Sequence, residues 1–250
     1  MVQVTVDGFL GDRLRLAQPE TGYRAGIDPV LLAAACPAQT GQEVLELGCG
    51  VGVASLCLGW RVPGLALSGV EIMGDYAQIA RENAAQNDIE FDVRQGDVAA
   101  RPTPFYDRSF HHVIMNPPYF AAESSSISPD AGRASGRSEH VALSHWVAMA
   151  AKRLRPKGYL TVIQRTERLP DLLVALEGRL GSIVVQPLAP RAGRAAHLIL
   201  LRARKSGRAA FQLLPAQSLH SGAKHVEGQP DYAPEISAIL REGKAFSWRI

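Results

Sequence analysis

The strongest constraint on the fold is an alternation of short apolar runs with helical patterns that starts near residue 41. The apolar runs predict strands over residues 43–47, 65–72, 91–93, 110–115 and 159–163, followed by closing strands over 183–185, 197–202 and 211–214. Periodic apolar positions between them predict helices from 53, over 75–87, 141–154 and 171–180, the third stopped by Arg155-Pro156-Lys157-Gly158. Such alternation predicts an α/β fold: a doubly wound, mostly parallel sheet with antiparallel C-terminal strands.

The chain is long enough for one domain with a sizeable core, since it has 250 residues of which 46% are hydrophobic. We expect a single domain over residues 1–250. Within it we expect an N-terminal extension over 1–40, a core over 41–215 and a C-terminal segment over 216–250. Residues 121–138 are rich in Ser, Gly and Ala and predict a mobile loop, because they bury too little apolar surface to offset the entropy of ordering.

The cysteine content indicates the compartment. Cys36, Cys49 and Cys57 are odd in number and lack CxxC or His-paired spacing, which predicts a reduced, cytoplasmic chain without a metal site. The N-terminus lacks the apolar run of a signal peptide. The apolar stretches are also shorter than the roughly 20 residues that a bilayer requires, so we expect a soluble protein with no membrane partner.

The net charge of +3 conceals a local excess of cations. Residues 178–226 contain no Asp or Glu but eight cations: Arg179, Arg191, Arg194, Arg202, Arg204, Lys205, Arg208 and Lys224. Within them, LRARKSGRAAF predicts a hairpin between two apolar runs, with positive charge at its tip. A focused positive field attracts polyanions, most often nucleic acid, although a merely solvated edge of the sheet is the alternative.

The segment ELGCGVG, residues 46–52, predicts a strand, a glycine turn and a helix start. Gly48, Gly50 and Gly52 permit positive φ and a close approach of ligand to backbone, at the strand end where open α/β sheets bind ligands. The G-x-G-x-G spacing differs from the dinucleotide pattern. Glu46 would repel a phosphate but suits a cationic or amine-bearing ligand, and a plain tight turn is the alternative.

Two further acidic residues follow the next two predicted strands. Glu71 in GVEI lies 21 residues after Gly50, the offset at which a carboxylate reaches ribose hydroxyls. Asp97 in QGD follows the third strand, where it can accept a hydrogen bond from an adenine amino group. Together with Glu46 they predict one pocket rim suited to an adenosine without phosphates.

The tetrapeptide Asn116-Pro117-Pro118-Tyr119 follows the fourth predicted strand. Two prolines fix the backbone and remove two N–H donors, so nearby carbonyls remain free to accept. The Asn116 side-chain oxygen and the Pro117 carbonyl then form a pair of acceptors for a planar conjugated amine, on whose ring Tyr119 can stack. A rigid turn without catalytic role is the alternative.

In this order, ELGCGVG, GVEI, QGD and NPPY resemble the motifs of class I, Rossmann-like methyltransferases that act on amino groups. The N-terminal block QPETGYRAGIDPVLLAAA, residues 18–35, adds a resemblance to the bacterial tRNA adenine-N6 methyltransferases that modify the adenine beside the anticodon of a valine tRNA. One departure is His111, where an Asp is frequent. We leave His111 and His112 out of the site.

This resemblance implies S-adenosylmethionine as cofactor and tRNA as partner. Its cofactor-binding residues would be Gln18, Glu46, Gly48, Gly50, Gly52, Glu71, Asp97 and Asn116. Its catalytic residues would be Asn116, Pro117, Pro118 and Tyr119. We expect RNA contacts from Arg133, Arg137, Arg191, Arg194, Arg202, Arg204, Lys205 and Arg208.

Three alternatives stay open at this point. One is a methyltransferase for a glutamine amide of a protein release factor, which would not need the basic strands. Another is a methyltransferase for DNA or other RNA, and the last is a catalytically silent RNA-binding module. The sequence also leaves open the tRNA, the nucleotide and the oligomeric state.

Overall fold

The computed structural model describes residues 2–100, 102–118, 142–222 and 231–249. Its strands are β1 (Val4–Phe9), β2 (Leu14–Pro19), β3 (Glu43–Leu47), β4 (Ala66–Glu71), β5 (Phe91–Gln95), β6 (Phe110–Met115), β7 (Leu154–Arg165), β8 (Gly181–Ala189), β9 (Leu198–Arg204), β10 (Gln212–Leu213) and β11 (Gln217–Ser218). Its α-helices are α1 (Asp28–Ala35), α2 (Val53–Arg61), α3 (Gly74–Gln86), α4 (Leu143–Arg153), α5 (Leu169–Leu176) and α6 (Pro234–Glu242).

The central sheet has the order β10-β8-β9-β7-β6-β3-β4-β5, with β11 also paired to β8. Strands β3 to β7 pair in parallel, and β9 runs antiparallel to both β7 and β8. The predicted α/β class, with a mostly parallel sheet and antiparallel C-terminal strands, is confirmed. A separate antiparallel hairpin, β1–β2, precedes the sheet.

Apolar side chains cover both faces of the sheet, because successive residues of a strand point to opposite faces. Val44 of β3 belongs to the core that includes α1, α2 and α6, whereas its neighbour Leu45 belongs to the core that includes α4 and α5. This two-sided burial explains why the parallel strands appear in the sequence as nearly continuous apolar runs.

Several predicted boundaries were wrong. Helix α4 begins at Leu143, and the Arg155–Gly158 segment lies within β7 as an irregularity against β6 rather than ending the helix. Helix α5 ends at Leu176 rather than at 180, and Gly178 adopts a left-handed φ of +67° just beyond it. The predicted mobile loop over 121–138 lies outside the described residues.

The predicted hairpin between the runs around residues 200 and 212 was also wrong. Strand β9 lies between β7 and β8, so β10 cannot reach it and instead pairs in parallel with β8. The actual antiparallel neighbour of β9 is β8, with Val184 opposite Arg202. Two-residue strands such as β10 carry little local signal, so the pairing depended on contacts distant along the chain.

Candidate active site

The glycine turn joins β3 to α2 at the carboxyl edge of the sheet. Gly48, Gly50 and Gly52 have φ of +64°, +55° and +90°, a region that L-residues with side chains rarely adopt. A Cβ on Gly48 would lie 2.6 Å from the Trp146 ring, so this glycine also permits close packing of α4. A Cβ on Gly50 would meet no protein atom within 4 Å, so that part of the turn is open to a ligand.

Glu71, at the end of β4, ties this turn to the neighbouring strand. One carboxylate oxygen accepts from the Gly50 N–H at 2.8 Å and the other from the Met73 N–H at 2.8 Å. The side chain is nearly buried, and desolvation raises its pKa. Each carboxylate oxygen has a second lone pair, so both can still accept from ligand hydroxyls.

Glu46 caps the start of α2 from within β3. Its Oε2 accepts from the Ser55 N–H at 3.0 Å and from the Ser55 hydroxyl at 2.5 Å. Gly52 is the N-cap residue and has no side chain, so Glu46 supplies the acceptor that the exposed helix donors require. Burial raises the pKa of Glu46 to about 8. Its predicted role toward the cationic end of a cofactor would therefore involve a carboxyl group that is mostly protonated at neutral pH.

Gln18 is buried in β2, where both ends of its amide are engaged. Its Nε2 donates to Asp7 Oδ2 at 2.5 Å, and its Oε1 accepts from the Ala25 N–H at 2.7 Å. Asp7 also forms an ion pair with Arg24 at 2.5 Å. Gln18 therefore fixes the segment between β2 and α1, and its predicted contact with a cofactor stays a prediction.

That segment carries Tyr23, which we did not predict as a site residue. Its hydroxyl lies 3.4 Å from Nδ2 of Asn116, which donates to it. The contact engages Nδ2 of the Asn116 amide and leaves Oδ1 as the acceptor for a ligand. The position of Tyr23 in a segment already noted for its resemblance was the available signal in the sequence, and the structure leaves the residue 57% exposed.

Asn116, Pro117 and Pro118 follow β6, and Tyr119 lies outside the described residues. The Pro117 carbonyl already accepts from Nε2 of buried Gln164 in β7, at 3.2 Å. A carbonyl has two lone pairs, so one remains for a ligand. Asp97 lies in the turn after β5, where its Oδ1 accepts from the Ala99 N–H at 2.7 Å.

Strand register brings three of these positions together. Leu47 is paired with Val70 on one side and with Met115 on the other. Gly48, Glu71 and Asn116, the next residues along these three adjacent strands, therefore lie at the same edge of the sheet. Neighbouring strands are about 4.8 Å apart, so the turn, the carboxylate and the amide form one compact site.

The predicted RNA-binding residues are divided between two edges of the sheet. Arg191 and Arg194 follow β8 at the edge of Asn116, whereas Arg204 and Lys205 lie toward the opposite edge, because β9 runs antiparallel to β7 and ends there. Arg202 lies between the two edges, paired with Thr161 within β7. Arg208 follows these residues in the chain, and Arg133 and Arg137 lie outside the described residues.

Three of these cations donate hydrogen bonds or form ion pairs within the protein, and one of them, Arg204, donates from Nε to the Lys157 carbonyl at 3.2 Å. Nζ of Lys205 donates to the carbonyls of Ala151 and Leu154 at 2.6 and 2.8 Å, at the end of α4. Arg191 forms an ion pair with Asp231 at 2.5 Å.

Within the described ranges, no helix is both long and apolar enough to cross a membrane. The same part of the chain contains no group of three or more His, Cys, Asp or Glu residues placed to hold a metal ion.

Comparisons with known proteins find relatives over most of the chain. Two relatives are described as tRNA1(Val) (adenine(37)-N6)-methyltransferases. The protein from Yersinia enterocolitica is 28% identical over 247 residues, covering 94% of this chain and 91% of the relative. The protein from Porphyromonas gingivalis is 32% identical over 175 residues, covering 66% of this chain and 68% of the relative.

Solved structures show the same fold. A predicted O-methyltransferase from Agrobacterium tumefaciens superimposes with a TM-score of 0.70 at 22% identity, over 89% of this chain and 100% of that one. A 16S rRNA N2 G1207 methyltransferase of T. thermophilus, in complex with AdoMet and guanosine, superimposes with a TM-score of 0.55 at 20% identity. The match covers 81% of this chain and 50% of that one. The resemblance that the sequence motifs indicate is confirmed. The model of the methyltransferase small domain matches residues 25–185, and the chain therefore belongs to that family.

Proposed function

We propose that this chain transfers a methyl group from S-adenosylmethionine to the exocyclic amino group of an adenine in tRNA, the adenine beside the anticodon. The observation that carries the proposal is the register that places Gly48, Glu71 and Asn116 on adjacent strands. In the proposal, the glycine turn and Glu71 bind the cofactor and Asn116 accepts from the amine, so this register supports a single site for both at one edge of the sheet.

The residues present fit an adenosine-bearing cofactor. Gly50 leaves open space beside its Cα, and the Glu71 carboxylate is held by two backbone N–H groups with lone pairs left for ribose hydroxyls. Asp97 would accept from the adenine amino group. When bound, S-adenosylmethionine supplies an electrophilic methyl group on a positively charged sulfur.

Asn116 and Pro117 would act on the amine that receives the methyl group. The nitrogen lone pair of an adenine amine is delocalised into the ring and is a weak nucleophile. Oδ1 of Asn116 and the Pro117 carbonyl accept its two N–H groups, which localises the lone pair on nitrogen. Tyr23 keeps Oδ1 turned toward the amine, and orientation supplies most of the rate enhancement.

A tRNA substrate is supported by the two relatives, which are named for adenine 37 of tRNA1(Val). Displacing a base from an unpaired loop costs a few kcal/mol, less than from a duplex. Cations at the Asn116 edge, such as Arg194, would hold the flanking phosphates. A tRNA substrate supports a reaction in the cytoplasm, the compartment that the cysteine content predicts.

Nucleoside mass spectrometry of tRNA from a deletion strain tests the proposal. We expect the strain to lose N6-methyladenosine from one tRNA and to regain it with the wild-type chain but not with Asn116→Ala. Unchanged tRNA nucleosides, together with loss of a methylated glutamine from a release factor, would instead favour the protein substrate.

A further inference from the structure

A second cleft lies at the amino ends of the parallel strands, at the sheet edge opposite Asn116. Its volume is about 510 Å³, and its walls include His112, Lys157, Tyr159 and Arg202. His112 lies within β6, four residues before Asn116, which directly follows the strand. At about 3.3 Å per strand residue, roughly 13 Å of strand separates the two positions, so this cleft is distinct from the active site.

An irregularity in β7 builds one wall of the cleft. Phe110 pairs with Leu154 and His112 with Tyr159, so the single residue between them in β6 faces four residues, 155–158, in β7. The extra residues form a projecting bulge. Lys157 in it has a left-handed φ of +67°, and a Cβ on Gly158 would lie only 2.8 Å from the carbonyl oxygen of His111, so the bulge requires this glycine.

The charge of the cleft is positive and largely uncompensated. Among the described residues that line it, none is acidic. Arg155 is neutralised by Glu43, with which it forms an ion pair. Lys157 and Arg202, by contrast, have no carboxylate partner in the part of the chain that the structure describes.

Arg202 is held rigidly despite lacking a counter-charge. Its guanidinium lies over the rings of Tyr159 and Trp248, 5.4 and 4.8 Å from their centroids. Partial burial lowers its pKa. Its guanidinium N–H groups donate to no acceptor among the residues that the structure describes. Such a half-buried guanidinium suits an anion with several acceptor oxygens, because an anion would compensate its desolvation.

Gln42 adds neutral donors to the same wall. Its Oε1 accepts both from the Gln39 N–H at 2.9 Å and from Nε2 of His112 at 2.8 Å. Burial lowers the pKa of His112 to about 4, so this histidine is neutral and donates that hydrogen bond. With its oxygen used twice, Gln42 retains an amide nitrogen with two N–H groups for a ligand.

We propose that this cleft binds a phosphate group through Lys157, Arg202 and the Gln42 amide. The phosphate comes either from the backbone of the RNA substrate, which rests on the function proposed above, or from free phosphate or a mononucleotide. Both sources present the same tetrahedral oxygens, and direct competition between them separates the two.

The test is a titration of the full chain with inorganic phosphate at constant ionic strength, followed by NMR of the backbone amides of Arg155, Lys157, Gly158 and Tyr159. We expect saturable shifts of these signals. Lys157→Asn should weaken the apparent affinity about tenfold, since one charge-assisted hydrogen bond is lost, and Asn tolerates the left-handed conformation. Arg15→Asn, which removes an exposed cation on β2, should leave the affinity unchanged.

Competition with unmethylated tRNA identifies the source. Displacement of phosphate from the cleft would assign it to the RNA backbone, whereas simultaneous binding would assign it to a free phosphate ligand. The proposal is overturned if the signals do not saturate with phosphate and do not respond to tRNA, or if Lys157→Asn binds phosphate like the wild type. The affinity for S-adenosylmethionine, measured in parallel by calorimetry, reports on the active site separately.

Discussion

The side-chain amide of Asn83, within α3, pairs with both backbone polar groups of Ala17 in β2. Its Oδ1 accepts from the Ala17 N–H at 2.7 Å, and its Nδ2 donates to the Ala17 carbonyl at 3.0 Å and to the Val51 carbonyl at 3.0 Å. Asn87, one turn later, bonds to Arg15 in the same way. Helix α3 thus supplies the hydrogen-bonding partner that β2 lacks on one side, and attaches the N-terminal hairpin to the glycine turn.

Asn83→Ala should therefore lower the free energy of unfolding by about 3 kcal/mol, because it leaves buried backbone groups of Ala17 without partners. Urea unfolding measures the change. Gln86→Ala, an exposed substitution in the same helix, should change it by less than about 0.5 kcal/mol. Similar stabilities for the two variants would contradict a structural role for the Asn83 contacts.

Asn116→Ala should reduce methyl transfer by about 100-fold or more, since it removes an acceptor required only as the amine becomes nucleophilic. The affinity for S-adenosylmethionine should fall much less than the rate of transfer, because Glu71 and Gly50 are untouched. Single-turnover assays and calorimetry measure the two quantities. A single-turnover rate near that of the wild type would exclude the acceptor role.

Gly50→Val and Glu71→Ala should both weaken binding of S-adenosylmethionine. Valine would fill the open space beside Gly50, and removal of the Glu71 carboxylate should cost about 1.5 to 3 kcal/mol as the loss of a charged acceptor. Calorimetry measures both affinities.

Gly178→Val is the matched control for Gly50→Val. Gly178 also has a positive φ, of +67°, and no protein atom within 4 Å of its Cβ position, but it follows α5, away from the glycine turn. Gly178→Val should introduce similar backbone strain but bind S-adenosylmethionine with the affinity of the wild type. Unchanged binding in both Gly50→Val and Glu71→Ala would place the cofactor elsewhere.

The local patterns explain why the core of the site was predictable. The glycine turn, Glu71 and Asn116 each follow an apolar run, and parallel topology alone brings the ends of such runs to one edge. Gln18 and Glu46 differ, because their carbonyl and carboxyl oxygens are bonded to Ala25 and Ser55, contacts that no spacing rule reveals.

The pairing of the last strands was not predictable from local sequence. The run ending at Arg204 is adjacent in the chain to the run around Gln212, but β8 separates them in the sheet. Lys205 was therefore predicted at an exposed hairpin tip, whereas it caps the end of α4. The sequence shows which residues of this segment are cationic, but it does not show at which edge of the sheet each of them lies.

Glu46 should make stability depend on pH. Its pKa is about 8 in the folded chain and about 4.3 when unfolded, so the folded state binds a proton that the unfolded state lacks between these values. The contribution of Glu46 to the free energy of unfolding is therefore fully present below about pH 4.3 and is lost as the pH rises through about 8.

The variant Glu46→Gln keeps an acceptor for Ser55 and does not titrate. Relative to the wild type, it should become progressively more stable as the pH rises from about 5 to about 9. Urea unfolding at several pH values measures this difference, in which the contribution of Glu71 cancels. Parallel curves for the two proteins would show that Glu46 is ionised in the folded chain.

Arg194 should contribute to tRNA binding from the active-site edge. It is exposed in the connection from β8 to β9, where it lines a cleft of about 520 Å³ with His197. No carboxylate pairs with it in the described ranges. Each phosphate contact adds roughly 0.7 to 0.9 to the slope of log affinity against log salt.

Arg194→Ala should reduce that slope by about one unit without changing the affinity for S-adenosylmethionine. Arg179→Ala is the matched control, because Arg179 belongs to the same acid-free segment but precedes β8, at the opposite edge of the sheet. Filter binding of tRNA over a range of salt concentrations measures both slopes. If the two variants behave alike, the phosphates do not pass along the Asn116 edge at Arg194, and the RNA backbone must be held by other cations.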